Sequence, residues 1–242
     1  MTHPESNAVT RRAFLASAAA VGAVAGSQSV TATHPEQKPD HVTVRYDTDI
    51  IERYQPALVL DGVEIEPYSY CAMVAESPER GLGCVVGFHR YTHQEGFSME
   101  DSHFGDTEPA YVFFDSRTGD VVQVVYSGYH WYQASTWANN LDYVVDDRQR
   151  PILRVIPPHH HHTTDFARSE ISDVRTDIPT SDLTERYPEW LEDDLEDQIR
   201  PGSVYSPWNM RDWEAWWEPS TMTEFEITLQ RIWLAWEGVR LR

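Results

Sequence analysis

Lysine is almost absent from this 242-residue chain: Lys38 is the only one, and the remaining eighteen of its nineteen basic residues are arginine. Against them stand 39 Asp and Glu residues, a formal net charge of −20. No basic patch of the kind that neutralises phosphates occurs, which excludes a nucleic-acid partner. An acidic, lysine-poor surface reads as halophilic. At high salt the Debye length falls to about 3 Å at 1 M, so self-repulsion costs little and the acidity needs no basic partner. Cysteine is also scarce. Cys71 and Cys84 are the only two, and they lack the paired spacing of a zinc site. There is no G-x-S-x-G elbow, Walker loop, G-x-G-x-x-G or H-E-x-x-H, which removes the usual support for common acyl hydrolases, P-loop enzymes, Rossmann dehydrogenases and zincins.

No apolar run reaches the roughly 20 residues needed to span a bilayer. The small apolar run at 16–25 instead follows Thr10-Arg11-Arg12-Ala13-Phe14-Leu15, a twin-arginine pattern, and ends in Ala23-Val24-Ala25 before Gly26. Residues 1–25 therefore read as a Tat signal peptide, with cleavage at an A-x-A-type site. Export in this manner resembles that of haloarchaeal secreted proteins. The mature form is expected outside the cytoplasm, extracellular or on the cell surface, without a transmembrane anchor. Residues 26–40 read as a polar flexible linker.

Residues 41–164 read as strands. Val42 to Tyr46 alternates, Ala57 to Leu60 is a short apolar run, and Tyr68 to Ala75 and Cys84 to Tyr91 flank a turn-rich Ser77-Pro78-Glu79-Arg80-Gly81. In an exported chain an even cysteine count favours a disulfide, so Cys71 and Cys84 are expected to be bridged across that hairpin. A second hairpin joins Ala110–Phe114 to Val121–Tyr126 through the turn at 115–120. A further strand, Pro151 to Ile156, ends at Pro157-Pro158 and leads into His159, His160, His161 and His162. The fold class is mainly β: a β-sandwich of antiparallel strands with a C-terminal amphipathic helix and acidic irregular segments. Residues 165–242 are expected to form an acidic arm and a C-terminal helical region packing on the same domain. In that region Thr221-Met222-Thr223-Glu224 supplies a capping box, and Phe225, Leu229, Ile232, Trp236 and Val239 recur at helical spacing. Trp208, Trp213, Trp216 and Trp217 read as core in preference to a carbohydrate-stacking platform.

Antiparallel pairing of the second hairpin carries the segment before Ala110 and the segment after Tyr126 to the same end of the sheet. His103, Asp106 and Glu108 thus come near His130. Asp106 and Glu108, two apart, share a face if extended. Carboxylate oxygens with one or two imidazoles suit a divalent cation such as Mg, Ca, Mn or Zn. The competing account has Asp106 capping a turn, Glu108 solvated and His130 buried by Trp131. His89 and His93 read as surface or packing residues. Of the four consecutive histidines at most two can serve one site, because neighbours on an extended chain point to opposite faces.

Ser102-His103-Phe104-Gly105-Asp106-Thr107-Glu108 is similar to the G-H-R-H-D-W-E heptapeptide of necrosis- and ethylene-inducing-like proteins, matching its first His, its Asp and its final Glu. Gly105-Asp106-Thr107-Glu108 also resembles the G-D-W-E of the related vacuolar protein sorting-associated family. The resemblance spans roughly residues 54–164. It implies a β-sandwich in which His103, Asp106 and Glu108 occupy the positions where the family holds a divalent cation. Gly105 and Thr107 replace the family's second His and its Trp, so lytic activity is not implied. Two functions remain open: a metal-dependent hydrolase acting on an unknown small molecule, or a non-catalytic module that binds an envelope component, with a structural cation or none.

Overall fold

The computed structural model describes residues 38–95, 102–129, 132–144, 147–166, 174–186 and Pro207. The expected signal peptide, the tryptophan cluster, the C-terminal helix and His130 lie outside the described residues. Among those described, two antiparallel-dominated sheets face each other. The larger is built on β3 (Ser69–Ser77), β4 (Leu82–Gln94), β5 (His103–Asp115), β6 (Val121–Tyr129) and β7 (Tyr132–Trp137), in that spatial order. β1 (Thr43–Arg45) pairs antiparallel with the far end of β3, and β12 (Thr180–Asp182) pairs parallel with its start. In the smaller sheet the order is β10 (His161–Thr163), β9 (Asp147–Ile156), β2 (Ala57–Val59), β11 (Val174–Arg175), with β8 (Tyr143–Val144) also on β9. Both sheets therefore extend past residue 164, since β11 and β12 come from the acidic segment.

Both expected hairpins form. Ala110 pairs with Tyr126 and Val112 with Val124, and the register shifts between Phe113 and Phe114, next to the turn. Asp115 shapes that turn by accepting from the backbone N–H groups of Arg117 and Thr118, both at 2.8 Å. The one described α-helix, α1 (Thr48–Tyr54), is too short to leave a periodic signal in the sequence. It starts because the Asp47 side chain accepts from Ile50 N, and it is anchored by burying Ile51 and Tyr54. The Tyr54 ring stacks on Phe114 at 4.2 Å, and its hydroxyl donates to the Gly119 carbonyl at 2.8 Å.

Alternation explains where the core sits. Tyr70, Ala72 and Val74 of β3, Val85 of β4, Ala110, Val112 and Phe114 of β5, and Val124 and Tyr126 of β6 cluster with Leu58 of β2 and Leu153 and Val155 of β9. Burying each large aliphatic or aromatic side chain in such a layer contributes about 1.5–3 kcal/mol. The large rings here need space on β4: a Cβ on Gly87 would stand 2.1 Å from Tyr70 Cζ, and one on Gly83 2.2 Å from Phe114 Cζ. Residues of opposite parity, including Cys71, Met73, Cys84, Val86, Phe88, Tyr111 and Phe113, are buried on the other face of the larger sheet with Val42 and Leu183.

The expected Cys71–Cys84 bridge is overturned, as both thiols are free and buried. Their side chains do share a face, but the register pairs Cys71 with Phe88 and Ala75 with Cys84. The two cysteines are thus offset by four ladder positions, roughly 13 Å at 3.3 Å per residue. A disulfide requires Cα atoms within about 7 Å. No helix among the described residues is long and apolar enough to cross a membrane.

Candidate functional site at the open end of the second hairpin

Toward one end of the larger sheet the inner face changes from apolar to ionisable. On β4 the inward series Val85, Gly87 continues as His89 and Tyr91, and on β5 Val112, Ala110 continues as Glu108 and Asp106. The ladder sets His89 opposite Glu108 and Tyr91 opposite Asp106. All four side chains are buried, Asp106 at 5% exposure and Glu108 at 2%. Charged groups are seldom buried to this degree without partners.

The partners come from the smaller sheet. After β9 the chain turns through Pro157-Pro158, a cis peptide, and His160, whose φ of 56° lies in the left-handed region. It then returns as β10, with His161 opposite Ile156 and His162 opposite Val155. All four consecutive histidines are buried. His160 Nδ1 lies 2.7 Å from Asp106 Oδ2, and its ring stacks on Tyr91 at 4.0 Å with the planes 3° apart. His161 Nδ1 lies 3.5 Å from Glu108 Oε1. Val155 belongs to the inter-sheet core, and His162 opposite it meets His89, the ring centres 5.1 Å apart. A tight turn in place of an extended run is what lets the neighbouring histidines serve one cluster.

Burial governs the protonation of this cluster. It pushes His89 well below the ordinary imidazole range, with His162 adding to the effect, and lowers His162 to about 3, with His160 adding to that. Burial also raises Glu108 well above the carboxylate range; the nearby Asp106 reinforces the rise and a hydrogen bond with Ser127 opposes it. Tyr91 is raised as well, by burial first and then by Glu108 and Asp106. Neither ring nitrogen of His89 or of His162 has a hydrogen-bond partner, and neither do Glu108 Oε2 and Tyr91 Oη. Beside the cluster lies a cavity of about 380 Å³ lined by Glu64, Ile65, Glu95, Pro157, Pro158 and His160.

Of the four residues expected to converge, Asp106 and Glu108 are together on one face. His103 is not with them: it is exposed and pairs with Gln94 at the outer end of the hairpin. It lies three residues from Asp106, an odd separation that favours the opposite face of an extended strand. Five residues beyond the expected four belong to the cluster: His89 and Tyr91, which the sequence places outside the site, and His160, His161 and His162 of the run whose membership it leaves open. The signals available were the parity of His89 and Tyr91 on β4 and the histidine run directly after a strand. Among the described residues no group of three or more His, Cys, Asp or Glu side chains is placed to hold one metal ion.

The sequence matches no protein-family model and no curated protein. Among solved structures the chain is similar to NLPPya in complex with glucosamine, at 13% identity and a TM-score of 0.42 over 55% of this chain and 72% of that one. It is also similar to a structure described as a toxin fold for microbial attack and plant defense, at 11% identity and 0.41 over 63% and 82%. A third is necrosis and ethylene inducing protein 2 from the causal agent of cocoa's witches' broom disease, at 16% and 0.38 over 58% and 76%. These are necrosis- and ethylene-inducing-like structures, as the heptapeptide resemblance is.

Proposed function

We propose that the chain is an exported halophilic protein whose working end is the Asp106–Glu108–histidine cluster, and that this cluster holds a divalent cation. The observation that carries the reading is the pairing of two buried carboxylates with two buried imidazoles beside a cavity, with Asp106 Oδ2 2.7 Å from His160 Nδ1. The donors, Asp106 and Glu108 oxygens with His160 and His161 nitrogens, suit Mg, Ca, Mn or Zn. A carboxylate that holds one imidazole nitrogen fixes the ring and its tautomer, leaving the second nitrogen for a ligand or a proton. When bound, such a cation supplies Lewis acidity and a more acidic water, the chemistry of a metal-dependent hydrolase. His160 lines the cavity, and Asp106 and the Tyr91 ring hold its orientation there.

A second reading, a non-catalytic envelope-binding or surface-binding module, is favoured by one observation: no three of these side chains already surround a single point. The two readings separate by elemental analysis of protein folded and purified in molar salt without chelator. One divalent ion per chain, lost in Asp106→Asn and Glu108→Gln, supports the cation site. Protein that stays metal-free on dialysis against each of the four ions removes it.

A further inference from the structure

We propose that His89 and His162 form the nitrogen-donor part of an inter-sheet site for a borderline transition-metal ion of the zinc class, in preference to Mg or Ca. The proposal rests on the cation reading above and narrows the ion that the cluster takes. It starts from an accounting problem in the core. His89 and His162 are at 0% exposure, and both nitrogens of both rings lack a hydrogen-bond partner. A buried polar group without a partner destabilises the fold, because it has given up its hydrogen bonds to water and gained none in exchange. A leucine or phenylalanine at either position would fill the same layer without that cost. Glu108 stands opposite His89 in the β4–β5 ladder with Oε2 likewise unpartnered, and Tyr91 Oη is a further unpartnered oxygen on the same face.

The ring spacing matches shared ligation, with Glu108 the further donor that has to move in, since among the described residues no three such side chains already surround one point. The His89 and His162 centres are 5.1 Å apart and the planes are inclined by 57°. Two imidazoles that bind one tetrahedral ion at about 2.0–2.1 Å have ring centres roughly 5 Å apart. Both rings reach the space between the two sheets, and neither has a competing hydrogen-bond partner for its nitrogens. Donor chemistry then selects the ion. Imidazole suits Zn, Cu, Fe and Ni, whereas Mg and Ca demand oxygen, so a pair of nitrogens beside one carboxylate disfavours the hard cations. Glu108 supplies the negative charge that accompanies the ion, and it is drawn toward the histidine pair on binding. The structural alternative is that the two rings only pack between the sheets.

The test uses the full chain in molar salt, stripped with EDTA and titrated calorimetrically with Zn(II), Co(II), Mg(II) and Ca(II). The expected result is one Zn(II) per chain, bound at least about 100-fold more tightly than Mg(II) or Ca(II), with a Tm that rises on addition. His89→Leu and His162→Leu should each weaken Zn(II) binding by about 10–100-fold or more. In EDTA these variants should melt at or above the parent's Tm, because an orphaned polar group has been replaced by an apolar one. The visible spectrum of the Co(II)-loaded parent gives a readout that needs no variant, with intense tetrahedral bands expected. Weak octahedral bands, or Zn(II) affinity unchanged in both leucine variants, overturn the proposal. Mg(II) or Ca(II) binding that Asp106→Asn abolishes, with Zn(II) no tighter, overturns it while sparing the cation reading. No binding of any of the four ions overturns both.

Discussion

Asp106 and His160, 54 residues apart in the chain, meet in the interior with Oδ2 2.7 Å from Nδ1, and neither side chain is more than 5% exposed. One comes from a strand of the larger sheet and the other from the turn between two strands of the smaller. The contact therefore closes the same end of the sandwich at which Glu108 meets His161 and His89 meets His162.

Asp106→Asn keeps the shape of that contact and removes its charge. A hydrogen bond to a charged group contributes about 1.5–3 kcal/mol, so the urea midpoint at constant molar salt should fall by a corresponding amount. An unchanged midpoint would mean that the pair contributes nothing to stability.

Gly87→Ala should destabilise by about 1–3 kcal/mol through overpacking. The added methyl would meet the Tyr70 ring at 2.1 Å, and that ring is held by its hydroxyl donating to the Ala110 carbonyl at 2.9 Å. Combining it with Tyr70→Leu should cost less than the sum of the two single changes, since the clash partner is gone. Strict additivity in urea unfolding would show that Tyr70 is not the obstacle.

Both thiols should remain free in the folded protein. Burial raises the Cys71 and Cys84 thiols above their ordinary value, which keeps them protonated and slow to react. Thiol titration should find two groups after unfolding and almost none before, and reductant should leave the urea midpoint unmoved. A midpoint that drops with reductant would restore the bridge.

In metal-free protein, acid should destabilise from about pH 6.5 downward. His162 titrates at about 3 in the fold against 6.5 ordinarily, so between those values the unfolded chain binds the extra proton and stability falls as pH falls. One such proton is worth up to about 1.4 kcal/mol per pH unit. His89, also lowered, acts in the same direction. Glu108 acts in the opposite one, since its raised folded value makes the native state the better proton acceptor. Two imidazoles against one carboxylate leave a net loss between pH 6.5 and 5. Urea midpoints in EDTA that stay flat or rise over that interval would contradict this balance.

Export is tested separately. Replacing Arg11 and Arg12 by Lys should hold the precursor inside the cell, whereas the parent chain appears outside with a new N-terminus near Gly26. Fractionation followed by mass measurement of the mature chain checks both points, and secretion of the double variant at the parent's rate would remove the twin-arginine assignment.

Local chemistry made the hairpins legible. β-Branched and aromatic runs interrupted by Ser77–Gly81 and by Asp115–Asp120 read directly as paired strands, and parity alone placed Asp106 and Glu108 on one face. Helix α1 escaped because seven residues hold barely two turns, too few for a periodic pattern to stand out. The cysteine pairing is not legible in the sequence, because hairpin register depends on where the turn closes. Cys71 and Cys84 lie on the same face, but four ladder positions separate them. The histidine cluster was beyond local reading for a different reason. Which face His89 presents follows from its strand, but what that face meets depends on how two sheets stack. Only packing β9 and β10 over β4 and β5 brings His160 to Asp106 and His162 to His89, because burial of the apolar layer between the sheets, and not any short-range pattern, brings those residues together.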